Sequence, residues 1–307
     1  MNNARQDILK TLAYFDYFNY PLSHEEICSF LPARYNQSLV TDTLFLLTEN
    51  ETIFKIDNFY SLQNDCSLVK KRLEGNQRAM KQLAIAKKVA KILSLFPYVE
   101  SISVSGSLSK YYADEKADID FFIITSANRL WIARTCMHLL KKLSYLAGKQ
   151  DWFCMNYYVD EIGREINEKN VFTAMEIVTL LPMQGISEFK KFISKNAWTN
   201  DFFPPRVSMP YIPTEIKRGF FRGLFESIFN SNFGDHIDKW LMQLTARRWE
   251  KKKKNEKRNS HGARIGMVVN RHFSKPDPKN FQVKVIQQYE KRVKQLMESD
   301  ELIKVAL

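Results

Sequence analysis

The sequence predicts an α+β chain in three parts: a small N-terminal module, a central unit with a small mixed β-sheet flanked by helices, and a C-terminal helical region. Apolar residues recur at helical spacing along most of the chain, whereas two short apolar runs near residues 102 and 121 are typical of buried strands. Several prolines just after residue 200 interrupt both patterns. We therefore expect boundaries that give parts 1–66, 67–200 and 201–307.

Composition limits the class of protein. A chain of 307 residues with 45% hydrophobic and 13% aromatic residues has enough apolar surface for a folded core. It contains no uncharged apolar run of membrane-spanning length, and its start, MNNARQDILK, lacks a signal-peptide core. The four cysteines form no Cys-x-x-Cys pair, so neither zinc nor disulfides are indicated. We expect a cytoplasmic protein.

The N-terminal module combines helices with a hairpin. Apolar spacing predicts a first helix over residues 5–17, a Ser23-x-x-Glu26 capping box opens a second, and a third fits Ser38 to Leu47. The run from Thr52 to Leu62 alternates like a hairpin. This order suggests a winged helix, which often reads DNA with its third helix. That helix has no lysine or arginine, so a packing or dimerisation role is favoured over DNA binding.

The central unit is organised around the stretch from Ile102 to Thr125, after one long helix or two helices predicted over residues 64–95. Asp118 and Asp120 begin its second strand, and because strand side chains alternate, both are expected on the same face. Two neighbouring carboxylates repel each other unless a cation lies between them. Hard divalent ions such as Mg²⁺ bind one or two carboxylates together with substrate phosphates, so this pair predicts a metal site.

The turn between the two strands contains Gly106 and Ser107. A glycine lets backbone approach a phosphate closely, and the Ser107 hydroxyl and the amides of a following helix N-terminus can donate hydrogen bonds to phosphate oxygens. Metal ligands and phosphate donors are thus predicted to meet at one end of a two-strand unit.

The pattern apolar-Gly-Ser, ten residues, Asp-apolar-Asp and an apolar strand resembles the nucleotidyltransferases of the DNA polymerase β type. The segments YFDYFNYPLSHEEI, CMNYYV and NVFTAMEIVTLLPMQG around it resemble uncharacterised bacterial proteins with a nucleotidyltransferase domain. The resemblance implies that Gly106 and Ser107 bind the triphosphate, and that Asp118 and Asp120 are the catalytic metal ligands. Lys110, in the loop after Gly-Ser, and Asn156 are further candidate nucleotide-binding residues.

The chain departs from that family at several positions. The loop Leu108 to Tyr112 lacks a second glycine, and Ala117 stands where many active members have a serine. The strand predicted over residues 151–159 has Asn156 at the position that looks aligned with the third family carboxylate, and an amide cannot act as a general base. Asp151, Asp160 and Glu161 are possible substitutes.

Two further helices follow in the central unit. The first is predicted over residues 128–147, with His138 in its apolar pattern as a packed core residue rather than a ligand. The second is predicted to begin at a Thr173-x-x-Glu176 capping box, in which a bond from Glu176 to its own helix start is favoured over nucleotide contact.

The C-terminal region is predicted to be strongly helical from residue 215 to 257, to contain turns over 260–280 and to end in a helix from Asn280 to Met297. The net charge is +12, and half of it lies in the run RRWEKKKKNEKR from Arg247 to Arg258. Such a run is either a solvated helix end or a phosphate-binding patch for a nucleic-acid acceptor, and both remain open. The patch consists of Arg247, Arg248, Lys251, Lys252, Lys253 and Lys254. Peripheral membrane contact is not favoured.

The first functional expectation is a nucleotidyltransferase that uses Mg²⁺ or Mn²⁺ and moves a nucleoside monophosphate from a nucleoside triphosphate, such as ATP, to a hydroxyl of RNA, protein or a small molecule. Pyrophosphate is released. The alternative is a protein of the same fold that binds nucleotide or nucleic acid with weak or no catalysis.

Overall fold

The computed structural model describes residues 2–204, 213–217, 219–255, 266–276 and 281–306, with the side chains of 221, 253 and 299–306 excepted. The described chain is a mixed α+β structure with two β-sheets, as the sequence predicts. None of the helices in these ranges is both long and apolar enough to cross a bilayer.

The N-terminal module contains three helices and a three-stranded antiparallel sheet in the order β1-β3-β2. The Ser23 side chain accepts a hydrogen bond from the Glu26 amide at 3.2 Å, and Glu26 accepts one from the Ser23 amide at 2.9 Å, which confirms the capping box. Helix α3 is longer than predicted because Asn36 caps it. The elements are α1 (Asn2–Asp16), β1 (Leu22–Ser23), α2 (His24–Phe30), α3 (Gln37–Glu49), β2 (Phe54–Ile56) and β3 (Phe59–Ser61).

The central sheet has six strands in the order β7-β4-β5-β6-β9-β8. Only β5 and β6 are parallel; every other neighbouring pair is antiparallel. The last two strands form a hairpin in the region where the sequence indicates only turns, and they extend the sheet beyond β6. The strands are β4 (Val99–Val104), β5 (Asp120–Thr125), β6 (Cys154–Asp160), β7 (Leu181–Gln184), β8 (Met267–Val269) and β9 (Phe273–Pro276).

Helices cover both faces of this sheet. Alternation along β5 places Phe121 and Ile123 in the core beneath α4 and α5, whereas Phe122 and Ile124 lie in a second cluster with Phe192 of α7. Burying each such side chain contributes about 1.5–3 kcal/mol. The helices are α4 (Cys66–Leu93), α5 (Leu130–Ser144), α6 (Val171–Val178), α7 (Ile186–Lys195), α8 (Phe220–Phe229), α9 (Asn232–Lys254) and α10 (Phe281–Ala306).

The N-terminal module shares a hydrophobic cluster with the rest of the chain. Ile8 and Leu12 of α1 belong to the same cluster as Met175 of α6 and Val285 of α10. Arg72 of α4 donates to the Glu26 carboxylate of α2 at 2.6 Å. The first and last helices therefore pack together on one side of the central unit.

Candidate functional site

The turn after β4 brings Gly106 against the start of β5. The Ser105 amide donates to the Asp120 carbonyl at 2.9 Å, and Gly106 has φ +69°, in the left-handed region that favours glycine. A Cβ built on Gly106 would lie 3.0 Å from Asp120 Oδ2. Only a glycine therefore lets the backbone approach this carboxylate without displacing it.

Ser107 follows with its side chain exposed. Its carbonyl accepts hydrogen bonds from the amides of Lys110 at 2.9 Å and Tyr112 at 3.2 Å, and its hydroxyl caps no helix. The expected helix is a 3-10 segment of three residues, Leu108–Lys110. Phosphate binding at this turn would depend on individual donors, because such a short segment has little helix dipole.

Lys110 braces the turn. Its ammonium donates to the Gly106 carbonyl at 3.2 Å and to Glu176 Oε1 at 2.7 Å, and its side chain is 15% exposed. Lys110 thus fixes the Gly106 carbonyl by a hydrogen bond and also places a positive charge beside the turn.

Glu176 belongs to the site, although the sequence favoured a capping role for it over nucleotide contact. The predicted capping box is wrong, because α6 begins at Val171 and its cap is Asn170, which accepts from the Thr173 amide at 3.0 Å. Glu176 lies within the helix and is free to reach Lys110. No local pattern could indicate an ion pair between residues 66 positions apart.

The two predicted metal ligands lie at the entrance to β5. Asp118 is exposed two residues before the first strand residue, Asp120, which is half-buried. Burial raises the pKa of Asp120 to about 6; a hydrogen bond with Cys154 opposes the shift, and the charges of Asp118 and Glu176 add to it. Loss of hydration also raises the pKa of Asp118, with the Asp151 charge adding to it.

A β-bulge in β6 places Asn156 next to Asp120. On β6, Met155 pairs with Phe121 and Tyr157 pairs with Phe122, so Asn156 is an extra residue between two registered pairs. Its amide nitrogen donates to Asp120 Oδ1 at 2.7 Å. Asn156, which the sequence aligns with the third family carboxylate, therefore lies beside the predicted metal ligand Asp120 and donates a hydrogen bond to its carboxylate.

The three alternative carboxylates differ in position. Asp151 lies by Asp118, since its carbonyl accepts from the Ile119 amide at 2.9 Å. Asp160 is fully buried at the far end of β6, where it accepts from the Asn128 amide at 2.9 Å and contacts His272 Nδ1 at 2.8 Å. Glu161 pairs with Arg164 at 3.3 Å. Of the three, only Asp151 is near the aspartate pair.

These residues fit a divalent cation that is shared with a phosphate ligand. Two carboxylates with raised pKa values lie where additional positive charge would stabilise their ionised forms. Within the described ranges, no three His, Cys, Asp or Glu side chains are grouped to hold a metal. The pair fits Mg²⁺ or Mn²⁺ if phosphate and water supply the remaining oxygens, and it does not fit a metal held by protein ligands alone.

The basic run forms the exposed end of α9 as far as Lys254. Arg247, Arg248, Lys251 and Lys254 are exposed, and the Lys252 ammonium lies 4.2 Å from the centroid of the Trp249 ring. The Lys253 side chain and residues 256–258 fall outside the described part of the chain. This surface is called the α9 basic end below.

Cations of α5 and of the α9 basic end shift the pKa values of His138 and of the two aspartates. Burial lowers the pKa of His138, and the cations Arg134, Lys141, Lys142 and Lys252 add to the shift. Lys141 also partly offsets the raised pKa values of Asp118 and Asp120. Lys252 thus acts on His138 and Lys141 acts on the aspartates, and His138 and Lys141 both belong to the second half of α5. His138 itself packs against Tyr158, with ring centroids 6.1 Å apart, in agreement with its predicted place in the core.

Comparison of the chain with protein-family models, with curated proteins and with solved structures finds no match. The function proposed below therefore depends on the geometry of the residues described above.

Proposed function

We propose that this chain is a nucleotidyltransferase of the DNA polymerase β type that uses Mg²⁺ or Mn²⁺. It would transfer a nucleoside monophosphate from a nucleoside triphosphate to a hydroxyl acceptor and release pyrophosphate. The observation that carries the proposal is the approach of Gly106 to Asp120, which joins a turn open to phosphate with a carboxylate pair suited to a divalent cation.

The topology supports the same proposal. The resemblance implies a small mixed sheet with Gly-Ser after one strand and Asp-x-Asp at the next. Strand β4 is antiparallel to β5, and β5 is parallel to β6, so these three strands have the form that the resemblance implies. The N-terminal order of helix, strand, two helices and two strands supports the winged-helix assignment.

Each site residue has a distinct role in the proposal. Asp118 and Asp120 would hold the cation, which when bound stabilises negative charge on the reacting phosphate oxygens. Gly106 would let a phosphate approach the backbone, and the exposed Ser107 hydroxyl would donate to it. Lys110 keeps the turn in place, and Asn156 orients Asp120 through its hydrogen bond.

The favoured acceptor is a nucleic acid, because the α9 basic end presents exposed cations that suit a chain of phosphates. A protein hydroxyl or a small molecule remains an alternative acceptor. Contact with a membrane surface is less favoured: Phe220, Leu224 and Ile228 of α8 are exposed, but no cluster of described cations accompanies them on that helix.

The second candidate function is binding of nucleotide or nucleic acid without turnover. Asn156 favours it, because the amide occupies the position beside Asp120 where a third carboxylate is expected. An amide cannot take a proton from an acceptor hydroxyl, so this arrangement can bind a substrate without activating it.

Sequence-specific DNA reading by α3 is the least supported function. Its exposed side chains include Gln37, Ser38, Thr41, Asp42 and Phe45, none of which is basic. Recognition helices depend on basic and amide side chains to contact phosphates and base edges, so α3 is better suited to packing against another protein surface.

Calorimetry with each of the four ribonucleoside triphosphates, with and without Mg²⁺, tests the proposal. We expect saturable binding that requires Mg²⁺ and is lost in Asp118→Ala/Asp120→Ala, while Asp114→Ala/Glu115→Ala, which removes the same charge from the preceding loop, binds normally. Circular dichroism would verify that both variants fold. Binding that is indifferent to Mg²⁺ and to the aspartates would reject both candidate functions at this site.

A further inference from the structure

The N-terminal module and the rest of the chain carry opposite net charges. Residues 1–66 contain four basic and nine acidic residues, a net charge of −5, so the remainder of the chain carries +17. Opposite charges on two parts of one chain favour contact between copies, because the acidic part of one copy attracts the basic part of the next. The exposed side chains of each part decide where such a contact can form.

Helix α3 carries an acidic and apolar stripe on its outer face. Asp42, Phe45 and Glu49 follow one another at three- and four-residue spacing, so they lie on one side of the helix, and Leu46 is next to Phe45. All four side chains are exposed, Phe45 to 63%. The helical rise of about 1.5 Å per residue separates Asp42 and Glu49 by about 10 Å along the axis, with the apolar residues between them.

A basic and apolar surface lies at the end of α5. Leu139, Leu143 and Leu146 are exposed to 59%, 56% and 88%, and their four- and three-residue spacing is that of one helix face. Lys142 and Lys149 are exposed beside them in the chain. Single exposed leucines are normal on a protein surface, whereas a group of three with flanking cations is typical of an interaction site. This surface is called the α5 apolar end below.

A second copy of the chain complements both surfaces. A nucleic acid or an anionic bilayer would suit Lys142 and Lys149, but Asp42 and Glu49 would repel it. When α3 of one copy meets the α5 apolar end of another, leucines cover Phe45, and carboxylates lie next to ammonium groups at the rim. Interfaces commonly have this arrangement, with an apolar centre and a polar edge.

From this complementarity we propose that the chain associates with a second copy of itself, through the α3 stripe of one copy and the α5 apolar end of the other. The contact is heterologous, since two different surfaces meet. Each surface consists of a few side chains, so we expect weak association, in the micromolar range, that salt weakens further. Neither surface includes Gly106, Ser107, Asp118 or Asp120, so the inference stands independently of the proposed function.

Sedimentation equilibrium of the full chain at low and high salt tests the inference. We expect wild type to self-associate reversibly, and charge reversal on either surface, Asp42→Lys/Glu49→Lys or Lys142→Glu/Lys149→Glu, to weaken association at least about tenfold. An equimolar mixture of the two variants should associate about as well as wild type, because the reversed α3 of one variant is complementary to the reversed α5 apolar end of the other.

Two control variants separate the surfaces from general effects. Glu115→Lys/Glu290→Lys has the same net charge as the α3 variant, changes exposed positions outside both surfaces and should associate like wild type. Phe45→Gln removes the apolar part of the contact without a change of charge and should weaken association about fivefold. Leu95→Gln, at a leucine that is 70% exposed elsewhere, should not weaken it.

Three results would overturn the inference. The first is a wild type that stays monomeric at low salt. The second is a mixture of the two reversed variants that fails to associate although wild type does. The third is equal weakening by the α3 variant and by Glu115→Lys/Glu290→Lys, which would reduce the effect to net charge. Circular dichroism of each variant shows that the comparison is made on folded protein.

Discussion

Gly106 and Asp120 are in contact range across the turn between β4 and β5: a Cβ on Gly106 would lie 3.0 Å from Asp120 Oδ2. The glycine is thus required twice, once for its φ of +69° and once for the space that the carboxylate occupies. These two requirements can be separated by experiment.

Gly106→Ala is expected to destabilise the protein by about 1–2 kcal/mol because of its left-handed backbone, and also to displace Asp120. Gly148→Ala is a matched control, since Gly148 has φ +62° but no atom within 4 Å of a built Cβ. Both variants should lose a similar amount of thermal stability, while only Gly106→Ala should lose binding of Mg²⁺ and triphosphate. Equal ligand affinity in the two variants would show that the Gly106 contact has no role in the site.

The raised pKa of Asp120 predicts a pH-dependent cost to stability. The folded state, with a pKa of about 6, holds the Asp120 proton more tightly than the unfolded state with the ordinary value of 3.8, so stability falls as pH rises through this interval. Without metal, Asp120→Asn should match wild type near pH 4 and exceed its stability by about 1–3 kcal/mol at pH 8.

Chemical denaturation of wild type and Asp120→Asn at each pH measures this difference. The comparison is needed because burial also raises the pKa of Asp238 to about 6, so the wild-type profile contains both groups. Mg²⁺ should stabilise wild type at pH 8 and leave Asp120→Asn unchanged. A constant difference between the two proteins from pH 4 to 8 would contradict the assignment to Asp120.

The Asn156→Asp variant tests whether the Asn156 amide is the reason that this chain would bind a nucleotide without transferring it. It replaces a hydrogen-bond donor to Asp120 by a like charge, so the melting temperature without metal should fall by about 2–6 °C, and Mg²⁺ should restore it. Asn167→Asp, at an exposed position, is the control. We expect Asn156→Asp to bind Mg²⁺ at least as tightly as wild type.

Turnover in the same variant separates the two candidate functions. Pyrophosphate release that rises at least about tenfold in Asn156→Asp would favour a binding protein that lacks its general base. Pyrophosphate release that is present in wild type and falls in the variant would favour an enzyme in which Asn156 positions Asp120.

The α9 basic end predicts salt-dependent binding of single-stranded nucleic acid. Replacing Arg248, Lys251 and Lys254 by glutamine should reduce the slope of log affinity against log salt by about 2, since each contact to a single strand contributes about 0.7. Replacing three exposed lysines of α4, Lys71, Lys81 and Lys88, removes equal charge elsewhere. Fluorescence anisotropy with an RNA oligonucleotide at several salt concentrations measures both, and equal slopes in the two triple variants would exclude a specific role for α9.

Much of the fold could be predicted because its signals are local. The Ser23 capping box, the helical structure of residues 66–93 and the strands on either side of Gly106 follow from hydrogen-bonding groups and apolar spacing within a few residues. The sequence left open whether residues 64–95 form one helix or two, and the structure has one, Cys66–Leu93. The strands at Met267–Val269 and Phe273–Pro276 were not predicted, because they are short and the second of them is stabilised by pairing with β6, more than a hundred residues earlier, while the first pairs with the second.

The candidate site likewise has residues that the sequence indicates and contacts that it does not. Gly106, Ser107, Asp118 and Asp120 could be named from the sequence because their types and spacing carry the chemistry within fifteen consecutive residues. The Lys110–Glu176 ion pair and the bulge that turns Asn156 toward Asp120 required the tertiary structure. Hydrogen bonds, ion pairs and cavities between distant segments depend on how whole helices and strands pack, and packing distances are not encoded in any one stretch of the chain.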